Sequence, residues 1–542
     1  MTKIVLATLN AKYIHASLGL RYLLANMARY GGEDLRTRSV LREFTIGKAT
    51  EEIAQALLSE LGETDGADSA DGAAVQIIGL GVYIWNVSAT TEVVRHVKRL
   101  RPSVVVILGG PEVSYEYVEQ EIVRLADYLI TGWGDVSFAK LCRSLIHGPR
   151  PLMKVHVGEQ PALSEIVMPY AEYTSDDLAH RLLYVEASRG CPFKCEFCLS
   201  SLDKTAWAFD LDQFLNELDV LYQRGARNFK FVDRTFNLKI DASARILEFF
   251  LKRLSVDLSS ELFLHFEVIP DHLPDRLKDL IAQFPEGVLQ FEIGIQSFDE
   301  QVQHTISRRQ DNVKTEANVR WLVEQSHAHL HTDLIFGLPG ETLASFALGF
   351  DRLHKLAPHE IQLGILKRLR GTPIVRHTES FQMKYEPAPP YSIIETNTIN
   401  ADAMQAFVRL ARYWDLIANS GRYKNTLPFL LTGPSAFAAF QNFANWLWAS
   451  TKATSGLTPE QLTDAIFDYL GSALAIPAVE ATAPLLIDYR ASGARGNPQC
   501  LRGQFERPLP QVKTSKLAQR QARHRESETA PSRQVTDRRV IS

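Results

Sequence analysis

The sequence predicts an α/β protein with an N-terminal open parallel Rossmann-like sheet, a central partial (β/α)6 TIM-like barrel and an all-α C-terminal domain, ahead of a disordered basic tail. Three observations carry this prediction. Short apolar runs alternate with helical stretches over residues 1–148. The alternation restarts near residue 182 and repeats six times. From residue 401 only helical periodicity remains. A chain of 542 residues is too long for one core. With 45% apolar and 23% charged residues its composition is that of a globular protein, not of a rod, a collagen or a disordered chain.

In the first part, KIVLATL (3–9) and 38–44 read as strands, 18–30 and 51–61 as helices, and 62–74 as a surface loop. VQIIGLGVYI (75–84) and SVVVILGG (103–110) are continuous apolar runs, as strands buried on both faces should be, and ADYLITG (126–132) follows. Strands separated by helices imply right-handed crossovers and a parallel sheet. Residues 149–179 read as a linker, rich in Pro over 149–165. The barrel strands are expected at 182–188, 228–233, 262–268, 288–295, 331–337 and 360–366, within a core spanning 180–400. AMQAFVRLARYWDLIANSG and AFAAFQNFANWLWAS are amphipathic helices of a domain over 401–490. Residues 491–542 read as a disordered tail: 502–542 carry 10 Lys or Arg against 4 Asp or Glu, with few large apolar residues.

Whole-chain charge gives dedicated nucleic-acid binding no support: 59 basic against 63 acidic residues give −4, with no excess to hold a phosphate backbone. The longest strongly apolar run, 75–85, falls short of the roughly 20 residues that cross a bilayer. The opening MTKIVLATLNAKY has no secretory signature. A cytoplasmic protein with reduced thiols is expected.

Five cysteines are an odd number and few for the length, so a disulfide scaffold is excluded. Three of them stand together in SRGCPFKCEFC, with Cys191-x3-Cys195-x2-Cys198 spacing just after the first barrel strand. Three thiolates can bind three irons of a 4Fe-4S cluster and leave the fourth iron open. A zinc site is the alternative. It wants a fourth protein ligand, which neither Cys142 nor Cys500 is placed by sequence to supply, though a His could.

The CxxxCxxC arrangement resembles the radical S-adenosylmethionine (radical SAM) superfamily. The resemblance implies that the open iron chelates SAM, and that one electron from the cluster cleaves it to a 5′-deoxyadenosyl radical. It also implies a reducing partner such as flavodoxin or ferredoxin. Phe197, before the last cysteine, would pack on the adenine. FKFVDRTFN (229–237) follows the second strand, where the family recognises the methionyl amine, and offers Asp233 and Thr235. HFEVIP (265–270) places Glu267 near the ribose, and FEIGIQSFDE (291–300) places Gly294, Gln296 and Ser297 beside the cofactor. DLIFGLPGET (333–342) and RGTP (370–373) resemble later signatures of the elongator-like and tRNA-methylthiolase-like branches. No protein side chain is assigned a catalytic role.

The N-terminal part resembles the cobalamin-binding domain that precedes many radical SAM cores. The turns IGLGVYIWN (78–86), ILGGPEVSYE (107–116) and ITGWGD (130–135) end three strands, where an open parallel sheet binds ligands. The resemblance puts Gly81, Tyr83, Gly109 and Gly110 at the nucleotide tail of cobalamin, with Tyr83, Trp85 or Asn86 toward the corrin. The cobalt-ligating DxHxxG motif is missing, so His15 reads as a loop or cap histidine. In GWGD, Trp133 replaces an acid usual in the family. Together these resemblances imply methylation of an unactivated carbon in an unknown, small-molecule substrate. The alternatives are cobalamin-assisted cyclisation or rearrangement, tRNA modification, or a non-catalytic cluster or cobalamin sensor.

Overall fold

The computed structural model describes residues 3–63, 75–256 and 261–504. Most of the expected loop at 62–74, and the tail beyond Gln504, lie outside the described residues.

The first sheet has six parallel strands: β1 (Ile4–Asn10), β2 (Ser39–Thr45), β3 (Ile77–Gly81), β4 (Val105–Gly109), β5 (Tyr128–Thr131) and β6 (Val155–Val157). Their spatial order is β2-β1-β3-β4-β5-β6. Alternate residues serve two separate cores. Val5, Ala7, Ile78, Leu80, Val106 and Leu108 pack under one pair of helices, Thr50–Leu61 and Val87–Leu100. Ile4, Leu6, Ile77, Val105 and Ile107 pack under the other pair, Leu18–Gly31 and Ser137–His147. Burial on both faces is why these strands read as unbroken apolar runs.

β6 corrects the sequence reading of 149–179 as a linker. Its three residues pair with β5 in register Leu129↔Val155 and close the sheet's edge. A three-residue strand is too short to show a period. The same stretch ends in a helix, Ser175–His180, whose Thr174 cap accepts from the Asp177 amide.

The second sheet has six parallel strands in sequential order: β7 (Leu183–Val185), β8 (Asn228–Phe231), β9 (Phe263–Val268), β10 (Leu289–Gln296), β11 (His329–Phe336) and β12 (Glu360–Ile365). Strand then helix, repeated in order, makes the partial barrel. Phe229, Phe231, Leu264, Phe266, Phe291 and Ile293 are buried under the outer helices. The residues between them alternate to the concave side and are largely polar, Lys230, His265, Glu267, Glu292 and Asp333 among them.

The C-terminal helices do not build a separate core. Phe407 of Ala401–Trp414 stacks on barrel residue Phe336 at 4.0 Å, and Trp414 donates to the Ile361 carbonyl at 2.9 Å. Trp414 and Tyr413 are therefore core residues. Order continues past 491, which corrects the start of the expected tail: Leu501 is fully buried and the Cys500 amide donates to Asp464 at 2.9 Å. Among the described residues no helix is long and apolar enough to cross a membrane.

Candidate cofactor site at the domain interface

β7 ends at Val185 and the chain enters the cysteine loop. Gly190 has φ +82°, and a Cβ there would stand 2.8 Å from the Ala206 amide and 2.9 Å from the Asp203 carbonyl, so glycine is required. The loop delivers Cys191, Cys195 and Cys198 to one cavity of about 250 Å³. Cys191 and Cys195 are buried and Cys198 is half-buried. Burial pushes the Cys191 and Cys195 thiols up, and at Cys195 the Arg308 guanidinium, 3.6 Å from Sγ, works in the opposite sense. Among the described residues no three His, Cys, Asp or Glu side chains converge to hold one metal ion. Three thiols lining one cavity are what a cluster with one open iron would take from the protein. Cys142 is buried in the sheet domain and Cys500 lies against the C-terminal helices, so neither lines this cavity.

Phe197, Thr235, Glu267, Gly294 and Gln296 also line the cavity. Glu267 pairs with Arg234 at 2.8 Å. Gln296 has φ +71°, and its Oε1 is buried with no hydrogen-bond partner. Two expected residues lie elsewhere, which corrects the sequence reading. Asp233 turns to the start of the cysteine loop, where its carboxylate accepts from the Ala187 amide at 3.0 Å and the Ser188 hydroxyl at 2.5 Å. Burial raises its pKa to about 7. Ser297 points into the protein and bonds Glu341 at 3.3 Å. In both cases the strand has just ended, so the alternation no longer says which way a side chain points.

The concave face carries a ladder of charges, of which Glu292 and Asp333 line the cavity itself. Glu292 meets Lys230 at 3.1 Å and His265 at 3.0 Å. His331 sits between Asp333 at 3.3 Å and Glu360 at 3.4 Å. Burial favours neutral His331, but the two carboxylates outweigh it and push its pKa up to about 10. A pKa raised on folding adds stability that is full below the unfolded value of about 6.5 and is lost as pH rises through the folded value. The melting temperature of the wild-type chain should therefore fall between pH 7 and pH 10, and His331→Gln should flatten that fall. Equal slopes in the two proteins would remove His331 from the ladder.

At the carboxyl end of the first sheet lies a narrow slot of about 180 Å³. Gly81, Tyr83, Gly109, Gly110, Gly132, Gly134, Asp135 and Arg189 are among its walls. Gly110 is fixed by the backbone: φ is +113°, and a Cβ would stand 2.4 Å from the Val82 carbonyl oxygen. At Gly109 a Cβ would meet nothing nearer than 3.7 Å. Protein packing tolerates a methyl there, so its absence leaves the slot open. Gly109→Ala is accordingly expected to keep its melting temperature and to weaken cobalamin binding about tenfold, 1.4 kcal/mol, in a visible-absorbance titration. Unchanged affinity would separate Gly109 from the ligand.

Neither Trp85 nor Asn86 walls the slot; for Asn86 this is a second correction, whereas Trp85 keeps an exposed face beside Tyr83. Trp85 stacks on Tyr83 at 4.4 Å and donates to the Leu9 carbonyl, leaving half its surface in solvent. Asn86 is fully buried: it accepts from the Tyr83 amide at 2.8 Å and donates to the Leu9 carbonyl at 3.0 Å, so it holds the turn together. His15 is outside the slot too, bonded through Nδ1 to Tyr184 at 2.8 Å.

A further cavity of about 240 Å³ shares Arg189 with the slot and Arg234 with the cysteine cavity. The carboxyl ends of both sheets thus face one interface. The slot and the cysteine cavity have no lining residue in common, and the middle cavity borders each of them through one arginine. Arg189 and Arg234 lie inside the motifs SRGCPFKCEFC and FKFVDRTFN, but the sequence does not reveal which carboxylates they meet, and Arg308 stands outside every motif.

Residues 185–348 match the family model of the Radical SAM superfamily, residues 4–142 that of the B12 binding domain, and residues 379–539 a protein of unknown function, DUF4080. An uncharacterized methyltransferase of Pyrococcus horikoshii is 30% identical over 200 residues, 30% of this chain and 43% of that protein. The cobalamin-dependent radical SAM methyltransferase TokK of Streptomyces tokunonensis is 25% identical over 327 residues, 54% of this chain and 47% of that protein. The chain therefore spans somewhat under half the length of these relatives. The radical SAM methyltransferase TsrM of Kitasatospora setae, solved with tryptophan substrate and a SAM analogue, shares the fold with a TM-score of 0.52 at 16% identity, over 71% of this chain and 79% of that one.

Proposed function

We propose that this chain, a B12-binding domain joined to a radical SAM domain, is a cobalamin-dependent radical SAM methyltransferase acting on an unactivated carbon of a small molecule. One observation carries the reading: the slot and the cysteine cavity open onto the same interface, joined through the cavity between Arg189 and Arg234. A substrate held there would meet both cofactors within contact distance.

When bound, the cluster, SAM and cobalamin supply hydrogen abstraction and a transferable methyl group. The chain's own residues do the rest. Cys191, Cys195 and Cys198 would hold three irons. Phe197, Thr235, Glu267, Gly294 and Gln296 would border SAM. Gly81, Tyr83, Gly109 and Gly110 would border the cobalamin tail. Arg234 and Glu267, paired across the mouth of the cysteine cavity, would limit water entry from the middle cavity. The electron would come from a flavodoxin- or ferredoxin-like partner.

The test is anaerobic reconstitution with cluster, cobalamin and SAM, supplied with reductant and a metabolite extract. A methyltransferase of this kind forms 5′-deoxyadenosine and S-adenosylhomocysteine in equal amounts. Deoxyadenosine without S-adenosylhomocysteine would mean rearrangement or cyclisation. Neither product would mean a sensor.

A further inference from the structure

The slot and the cysteine loop are tied together more directly than a shared interface requires. On one side, the turn after β5 grips the start of the loop. Asp135, a slot wall, takes both terminal nitrogens of Arg189 at 2.9 and 3.0 Å, and Arg189 lies two residues before Cys191. The pair is nearly dry, 12% and 7% exposed. In the same turn Trp133 donates its indole N–H to the Asp203 carboxylate at 2.8 Å, and the Asp203 main-chain oxygen accepts from the Cys191 amide at 2.9 Å.

On the other side, the turn after β4 grips the barrel loop that holds the middle of the triplet. Glu112, almost fully buried, accepts from Arg370 at 2.9 Å and Tyr391 at 2.7 Å, and Glu116 accepts from the Gly371 amide at 3.2 Å. A few residues on, the Ile374 amide donates to the Glu196 carbonyl at 3.0 Å, His377 bonds the Glu196 carboxylate at 2.8 Å, and Arg376 bonds it as well. Glu196 stands between Cys195 and Phe197.

We propose that these two turns, through Trp133 and Asp135 on one arm and Glu112 and Glu116 on the other, are positioning elements for the cysteine triplet, so that occupancy of the slot and assembly of the cluster favour each other. This rests on the reading of the slot as a cobalamin site and of the triplet as a cluster site. A ligand in the slot immobilises both turns. The turns immobilise the segments on either side of Cys191 and Cys195. A cluster orders those same segments, so whichever ligand binds first bears part of the ordering cost of the second. The effect is reciprocal by linkage. It also gives Trp133 a role: an acid at that position could not donate to Asp203.

The test titrates hydroxocobalamin into the full chain, once with the cluster reconstituted and once without iron, by visible absorbance. In the wild type, cluster loading should tighten binding at least about fivefold, the lower end of ordinary coupling. In Trp133→Phe/Asp135→Asn, with iron content and melting temperature checked, the ratio should fall toward one. Glu112→Gln, farther from the cysteines, should lower it too, and it serves if the double variant fails to load iron. With excess dithionite present throughout, so that dithionite and not the cluster reduces the added hydroxocobalamin to cob(II)alamin, the low-temperature EPR signal of the reduced cluster should shift in the wild type and not in the variants. A ratio of one in the wild type, or the same ratio in all three proteins, overturns the coupling and leaves the cobalamin reading intact. No hydroxocobalamin binding to either form overturns the cobalamin reading itself, and the coupling with it.

Discussion

Cys195→Ala should lower the iron content of the reconstituted chain from about four per chain to less than about one, and abolish cleavage of SAM. The effect is large because the polar contact of the Cys195 sulfur is with Arg308 at 3.6 Å, a cation that cannot replace a thiolate. Cys191→Ala and Cys198→Ala should behave alike. Cys142→Ala and Cys500→Ala are the controls and should keep both iron and SAM cleavage, since neither residue reaches the cavity. The Cys142 variant should lose some stability through its packing, because that side chain is fully buried. Iron analysis and chromatography of the SAM products read the outcome. A loss of iron in Cys142→Ala equal to that in Cys195→Ala would show that the ligand set is wrong.

The second large effect concerns how the sheet domain is seated. Arg21, on the first helix, is 2% exposed and bonds Glu43 and Asp177, each at 2.8 Å. Arg181 completes the group, 2.8 Å from Glu43 and 3.3 Å from Asp177. Glu43 also accepts from the Ser17 amide at 2.6 Å and from Asn10 at 2.9 Å. Two buried carboxylates and two buried guanidinium groups compensate one another. Arg21→Met keeps most of the bulk and leaves one negative charge unpaired. Removing one partner of a buried pair costs about 3–5 kcal/mol. For a chain of this size that is a fall in melting temperature of about 3–4 °C by calorimetry. Since the group spans the sheet domain and the segment entering β7, slot affinity should drop as well. A shift under about 1 °C would mean that Arg181 alone compensates both carboxylates.

Some of this protein was legible in the chain order itself. The cysteine triplet is confined to eight residues, so its spacing is a local property that needs no fold to interpret. The parallel strands declared themselves because burial on both faces turns alternation into a continuous apolar run, as in 75–84 and 103–110. The glycine turns of the slot could be found because they sit at strand ends, where a parallel sheet places its ligands. Other features had no local signal. Val155–Val157 is too short to show a period and becomes a strand only because β5 offers an open edge. Asp233 and Ser297 lie one or two residues past their strands, where the pleat stops dictating direction, and Ser188 and Glu341 decided where they point. Asn86 looked like a ligand contact and is consumed by the turn it closes. The bonds that join slot to cysteine loop run between residues 54 and 70 apart for Asp135 to Arg189 and Trp133 to Asp203, and 258 apart for Glu112 to Arg370. Sequence periodicity reports which face a residue takes within its own element. Which charge or donor it meets across an interface depends on how two cores dock, and only the tertiary structure holds that information.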